Sequence, residues 1–441
     1  MSQANRWYKL DNAATIVPST ARGSNTRVFR IACELREDVN PDLLQRALDR
    51  TLIEYPHLCV VLRKGFFWYY LDSTDQKPEV TKDGLPACAP LWFPGRRSLL
   101  FRVTYYHKRI NLEMFHVLAD GTGGFMFFRE LIMNYLGSVH DIPVPDSVKP
   151  SSSATEKKDD AFRQYYTRKK SASQLKSMTS TRAYQIHQYK DDNMQNHLIE
   201  GTVSAKAFIE LAHRYHTTAG VLSTSLYILA VIQSMSMGER EKFPIIVSVP
   251  VNLRQYFPSE TTRNFFGVIN ITYNAGDYNG ELSSILNPVA ASFAAQLTKE
   301  NIRNTMNGYS ALEHNLAARL VPLFLKDLGI EFFSFLAQRG TTATVSNLGV
   351  IRMPEEFTPY IEKFSSFMAT SNMQVCISSF QDNMVFGFVS AYQEHAVCLN
   401  FFRALTDLGL SVNLATNDYD TPLPTDRKER RKAQRAQKEA R

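Results

Sequence analysis

The feature that most constrains this chain is a duplication of pattern. Alternating strand and helix signals run through two long stretches, and a polar stretch without them lies between. Such alternation favours a layered α/β or α+β sandwich, here built twice. In the first stretch Val28 to Leu35 (VFRIACEL) alternates apolar and polar residues as a strand does. Asn40 then Pro41 marks a helix start: a capping side chain, followed by a ring whose missing N–H costs nothing at the first helical position. Leu43, Leu44, Ala47, Leu48 and Leu52 give that helix one apolar stripe, and Pro56 stops it. The aromatic run Phe66 to Leu71 predicts a strand. Leu99 to Tyr106 and Arg109 to Phe115 predict a hairpin turning at His107 and Lys108. His116 to Gly124 (HVLADGTGG) follows at once, then an apolar helix over Phe125 to Leu136. The glycine-rich piece therefore reads as a strand-to-helix turn, where free N–H groups gather at the end of a sheet.

From Asp141 to Asn196 the composition shifts to Pro, Ser and charge, as in VPVPDSVKPSSSATEKKDD, and the stretch reads as a partly ordered crossover. Patterning then resumes. Leu198 to Val203 predicts a strand, and Ser204 caps a helix through Tyr215. A buried helix is expected over Ala219 to Met235, too short and too rich in hydroxyls to span a bilayer. Strands are expected at Ile245 to Val251, Val268 to Tyr273, Ala343 to Ser346, Gln374 to Ser379 and Met384 to Val389, and amphipathic helices at Leu282 to Leu297 and Tyr309 to Leu325. The organisation expected is a lobe at 1–140, a crossover at 141–196, a second lobe at 197–424 and a basic tail at 425–441.

The chain has 441 residues, 44% hydrophobic and 21% charged, which excludes wholesale disorder and a disulfide-dense miniprotein. The net charge of +7 misleads: eight basic and three acidic residues fall between Asp426 and Arg441, so the body is nearly neutral. That argues against a nucleic-acid-binding face. The tail reads as a solvated one, with weak contact to anionic membrane lipid or to nucleic acid as the alternative. Cys33, Cys59, Cys88, Cys376 and Cys398 are scattered, with neither zinc nor redox spacing, as expected of free thiols in the cytoplasm. The opening MSQANRWYKLDNAAT lacks the apolar core of a secretory leader. His213 and His216 sit one helical turn apart with no third ligand, so they read as surface residues and no metal site is expected.

The segment that carries chemistry is His116-x-x-x-Asp120-Gly121. An imidazole titrates near neutral pH and suits general-base work. A base is sufficient when the electrophile is an activated thioester: a proton leaves the attacking hydroxyl or amine, and no covalent intermediate is needed. Asp120 can orient a ring or loop, and Gly121 and Gly123 permit close backbone approach. By itself the same pattern is also that of a structural turn. No Walker loop, dinucleotide fingerprint or nucleophile elbow accompanies it.

FHVLADG resembles the H-H-x-x-x-D-G motif of the superfamily that includes chloramphenicol acetyltransferase, condensation domains, plant acyl-CoA acyltransferases, mycobacterial polyketide-associated acyltransferases and alcohol acetyltransferases. Phe115 stands where the first motif histidine would be, as in several branches. Trp7 to Ser19 (WYKLDNAATIVPS), Ala47 to Leu58 (ALDRTLIEYPHL), Val247 to Arg254 (VSVPVNLR) and Val345 to Pro354 (VSNLGVIRMP) resemble further segments, in family order, and the resemblance points toward the bacterial alcohol-acetyltransferase-like and polyketide-associated branches. Nothing matches the plant branch's D-F-G-W-G segment; Asp382 to Phe388 (DNMVFGF) is a faint echo. The resemblance implies two lobes forming a V-shaped pseudo-dimer around a tunnel, with His116 midway as general base. It implies that Asp120 faces away from substrate and pairs with an arginine, for which Arg254 is the candidate, an exposed strand-end cation being the other reading. Gly121 through its N–H, and Ser346 or Asn347, are candidates for oxyanion or substrate contacts, a buried turn being the alternative.

The function expected is an acyl-CoA-dependent O-acyltransferase, acting as a monomer on an alcohol, with the acyl thioester a co-substrate and no bound cofactor. Two alternatives stand beside it. One is a condensation-type enzyme taking a carrier-protein thioester or an amine. The other is a catalytically silent relative that binds through its cleft or tail.

Overall fold

The computed structural model describes residues 7–144, 162, 165, 182–313 and 321–417. Most of the expected crossover and the whole tail at 425–441 lie outside those residues. Where the crossover is described, it is packed rather than loose. Ala183, Tyr184 and Ile186 are buried, and the Ala183 and Tyr184 N–H groups donate to the carbonyls of Arg339 (3.0 Å) and Pro244 (2.8 Å).

Three sheets organise the described residues. The first-half sheet has five strands in the order Ile361–Met368, Val28–Leu35, Arg109–Phe115, Phe101–Tyr106, Thr81–Lys82. A seven-stranded sheet runs Phe266–Asn274, Pro244–Asn252, Ala343–Val350, Met373–Phe380, Asn383–Ser390, His197–Ser204, Asn413–Thr416. A small sheet joins Trp7–Lys9, Tyr69–Ser73 and Val60–Lys64. Helices Pro41–Glu54 and Gly121–His140 pack together on the first half; Ala219–Ser234 packs with Ser283–Gln296 and Ala396–Asp407 on the second. Each half has its own apolar core.

The lobes are not separate in sequence. Ile361–Met368, placed by the expected boundaries in the second lobe, pairs antiparallel with Val28–Leu35 and completes the first-half sheet, from Ile361 opposite Leu35 to Met368 opposite Phe29. It also lies against the seven-stranded sheet: Ser378 Oγ donates to the Phe364 carbonyl (2.9 Å), and a Cβ on Gly387 would fall 2.3 Å from the Ser366 carbonyl oxygen. Buried over most of its length, the strand shows no clean alternation, so its sequence (IEKFSSFM) gave no period-2 signal.

Three local readings are corrected. The aromatic strand covers Tyr69–Ser73; Phe66 and Phe67 form the hairpin tip before it. The middle of the helix expected at Tyr309 to Leu325 lies outside the described residues; its described ends belong to Lys299–Glu313 and to Leu323–Arg339, and Pro322, which lacks an N–H, stands just before the second. The helix expected from Phe125 begins at Gly121, so the glycines assigned to the strand-to-helix turn form its first turn. All five cysteines are free.

An ion network ties the halves at their far side. Arg109 from the first half lies 2.7 Å from Glu200 on His197–Ser204, and Lys363 on the crossing strand lies 2.6 Å from the same carboxylate. Burial alone would raise the Glu200 pKa; the two cations overrule it and bring it from 4.5 down to about 2. A carboxylate depressed in the folded state stabilises above its unfolded pKa and loses that contribution as pH falls through the folded one. The expected result is that wild type loses roughly 3 kcal/mol from this group between about pH 4.5 and 2. Glu200→Gln should lack that part of the acid transition in urea melts taken across the range; an unchanged profile would refute the assignment.

Candidate active site

His116 follows the last residue of Arg109–Phe115 and donates its backbone N–H to the Arg27 carbonyl (2.9 Å). Its ring lies between Phe29 of the first half and Phe266 of the second, each 5.6 Å away centroid to centroid. The imidazole therefore stands on the seam.

One ring nitrogen is committed. His116 Nδ1 lies 2.8 Å from Asn264 Oδ1. The Asn264 amide cannot turn, because its Nδ2 donates to the buried Asp11 carboxylate (3.0 Å) and to the His116 carbonyl (3.0 Å), both pure acceptors. Asp11 is held in turn by the Ala14 N–H (2.7 Å). Asn264 Oδ1 is thus an acceptor, Nδ1 carries the proton, and a neutral ring presents the lone pair on Nε2. Among the described residues Nε2 makes no hydrogen bond.

The surroundings, on balance, disfavour the charged ring. Burial lowers the His116 pKa below the ordinary 6.5; Asp120, the ring's own backbone carbonyl and Asn264 pull the other way, and the Arg27 charge adds to the lowering. Arg27 is a left-handed residue (φ 57°) whose buried Nε has no hydrogen-bond partner among the described residues. Its own pKa falls to about 10 through burial. Removing this cation favours the imidazolium, so Arg27→Gln should raise the His116 pKa and Arg27→Lys should not. NMR titration of the labelled imidazole checks this, and a pKa unmoved in Arg27→Gln would refute the coupling.

Asp120 faces the other way. One carboxylate oxygen caps the motif helix by accepting the Gly123 N–H (2.8 Å). The second accepts from Arg254 Nη1 (2.8 Å) and from the Phe265 N–H (2.8 Å). Arg254, one residue into the short turn after Pro244–Asn252, also donates to the carbonyls of Thr261 (3.0 Å) and Arg263 (2.6 Å). The pair thus holds the loop at 261–265 against the motif helix. That loop also meets the first half through His57 Nε2 and Thr262 Oγ1 (3.0 Å), and through Arg263 Nη1 on the Lys9 carbonyl (3.0 Å). The approach is close enough to require Gly123, where a Cβ would fall 1.9 Å from the Thr262 carbonyl oxygen. Gly121 is under no such constraint: its nearest neighbour, Leu348, would be in ordinary contact at 3.6 Å. Gly121 opens the helix, so its N–H has no acceptor within the helix.

His116, Asp120, Gly121 and Arg254 are therefore brought together. Ser346 and Asn347 are less directly placed. They lie on Ala343–Val350, whose Leu348 reaches Gly121, but the Asn347 side chain accepts the Gly349 N–H (2.8 Å) at a bulge in its own strand, and neither residue bonds to the motif. Asn264 and Asp11 were not singled out in the sequence. Asp11 falls inside WYKLDNAATIVPS, which offered a segment but no role; Asn264 had no flag. Two open concavities, of about 710 and 490 Å³, flank the helix Ala205–Arg214 and are lined by none of the motif residues.

No family model matches the sequence, and no curated protein matches it. Solved structures do match in shape. The first condensation domain of the calcium-dependent antibiotic synthetase, in complex with a substrate analogue, aligns at a TM-score of 0.61 and 13% identity over 94% of this chain and 100% of its own. Trichothecene 15-O-acetyltransferase TRI3 from Fusarium sporotrichioides aligns at 0.63 and 11% over 92% and 96%. F. sporotrichioides TRI101, solved with coenzyme A and T-2, aligns at 0.63 and 10% over 93% and 99%. At these identities the likeness is one of architecture, and that architecture is specific: this chain has the chloramphenicol acetyltransferase-like fold shared by condensation domains and these acetyltransferases.

Proposed function

We propose that the chain is an acyltransferase that carries an acyl group from a thioester, acyl-CoA in the first instance, to an alcohol. The observation that carries the reading is the ring at the seam: Asn264 and Asp11 fix the Nδ1 proton, and burial and Arg27 disfavour the imidazolium. His116 Nε2 takes the proton of the acceptor hydroxyl as its oxygen attacks the thioester carbonyl. The C–O bond forms, the tetrahedral oxyanion collapses, and the C–S bond breaks. The imidazolium then returns its proton to the departing thiolate, leaving ester and free thiol. Gly121 through its N–H, with Ser346 and Asn347 beyond it, is the candidate surface for the oxyanion and acyl chain. Asp120 and Arg254 hold the loop that carries Asn264, so they act through position.

The reading is supported by fold neighbours that include an acetyltransferase and a protein solved with coenzyme A. A condensation domain among them keeps a carrier-protein donor in view, although Phe115 replaces the first histidine of the motif. The test is thiol release from a panel of acyl-CoAs, with alcohols and amines offered in parallel. Alcohol-dependent release supports the proposal. Turnover from a loaded carrier protein alone, or with amines alone, would replace it with the condensation reading. Release from no donor, by a folded protein, would leave a silent relative.

A further inference from the structure

The helix Leu323–Arg339 is mounted inside out. A surface helix ordinarily turns its apolar stripe to the core and its charges to water. Here Lys326, Asp327 and Glu331 turn toward the body. Asp327 accepts from Ser19 Oγ (2.6 Å), Lys64 Nζ (2.9 Å) and the Tyr69 hydroxyl (3.0 Å); Glu331 pairs with Arg22 (3.1 Å); Lys326 Nζ donates to the Phe67 carbonyl (3.0 Å). Phe324, Leu325, Leu328, Phe332, Phe333 and Phe335 are instead 48 to 64% exposed, and Leu323 alone of the helix is buried. The apolar surface continues onto the neighbouring hairpin tip, where Phe66 is 70% and Trp68 50% exposed. The two parts are fastened together: the Leu323 N–H donates to the Phe66 carbonyl (2.8 Å), and the Lys326 ammonium sits 5.2 Å over the Trp68 ring.

Scattered exposed leucines need no explanation, but a contiguous face of this kind does. The chain's own remaining segments are poor candidates to cover it. Residues 145–181 and 418–441 are dominated by Ser, Thr, Lys, Arg, Asp, Glu and Gln, and 314–320 contributes two leucines. The apolar surface is carried by one helix and one hairpin tip, and a fluid bilayer can take such a surface without a complementary groove. The charge fits as well. Asp327 and Glu331 are already neutralised by Lys64 and Arg22, Arg339 stacks on Phe335 at 4.5 Å, and the sequence from Asp426 onward carries a surplus of five positive charges. Seventeen residues make a helix of about 25 Å, too short to cross a membrane and suited to lying in its interface.

We propose that Leu323–Arg339, with Phe66 and Trp68 beside it, seats the protein on an anionic lipid bilayer, apolar side chains in the headgroup–acyl boundary and cations at its rim. This goes beyond the acyl-transfer reading and does not depend on it. The test is flotation of the full chain with vesicles of phosphatidylcholine alone and of phosphatidylcholine mixed with phosphatidylglycerol. Wild type should bind, more tightly to the anionic mixture. Phe332→Ser with Phe333→Ser should weaken partition by at least about tenfold, with circular dichroism unchanged; Leu328→Gln serves as a second variant should the double one misfold. Thiol release from soluble acyl-CoA is followed alongside, so loss of membrane binding is told apart from loss of catalysis. Wild type that ignores both vesicles overturns the proposal, as does binding that survives the substitutions. A wild-type dimer that these changes convert to monomer, without vesicle binding, overturns it in favour of a second copy as the cover.

Discussion

His116→Ala should lower kcat/KM for acyl transfer by roughly 10² to 10⁴-fold, while leaving the fold intact. The alcohol hydroxyl is a poor nucleophile until its proton has somewhere to go. On the proposed reading the acceptor is a single Nε2 lone pair, left over because Nδ1 is held by Asn264. Alanine removes the base and leaves Asn264 with its bonds to Asp11 and to the residue-116 carbonyl, so the loop keeps its anchor. Transfer to the alcohol should therefore fall while thermal unfolding moves little. A variant that retains wild-type turnover would end the general-base assignment, whatever its stability.

Arg254→Met should be the most destabilising single change at the seam, by about 3 to 5 kcal/mol. Both partners of the pair are buried, Asp120 at 5% exposure. Removing the guanidinium strands a carboxylate that has only the Gly123 and Phe265 N–H groups left. It also strips the donors from the Thr261 and Arg263 carbonyls. Those carbonyls belong to the loop carrying Asn264, so a second effect is expected: the residual folded protein should lose activity through a misplaced His116. Arg254→Lys should rescue little, since one ammonium cannot reproduce a planar fork spread over Asp120, Asn252 and the carbonyls of Thr261, Arg263 and Phe265. Urea unfolding measures the first effect. A Met variant within 1 kcal/mol of wild type, roughly the value of an exposed pair, would mean that Asp120 is solvated in solution.

What could be read in advance divides along the same physical line. Val28–Leu35, Arg109–Phe115 and the capped helix Pro41–Glu54 were legible because each is a local pattern: alternation, or a cap followed by a stripe. The motif was legible because His116, Asp120 and Gly121 are nearly contiguous. Asn264 was not, since its bond to His116 spans 148 positions and its bond to Asp11 spans 253, distances over which a sequence pattern carries no geometry. Ile361–Met368 escaped because burial along most of its length erases the alternation. Leu323–Arg339 was cut short at Leu325 by reading the stripe at Tyr309 to Leu325 as one helix.

The strand that closes the first-half sheet has a consequence for how the protein is made. Val28–Leu35 is near the start of the chain, and its neighbour on one side is Ile361–Met368. A ribosome therefore emits most of the polypeptide before that edge can be sealed. For the whole of that interval the nascent chain displays an unpaired, strongly apolar strand margin. The expected consequence is a yield of soluble protein that responds to synthesis speed and to holding chaperones as well as to final stability.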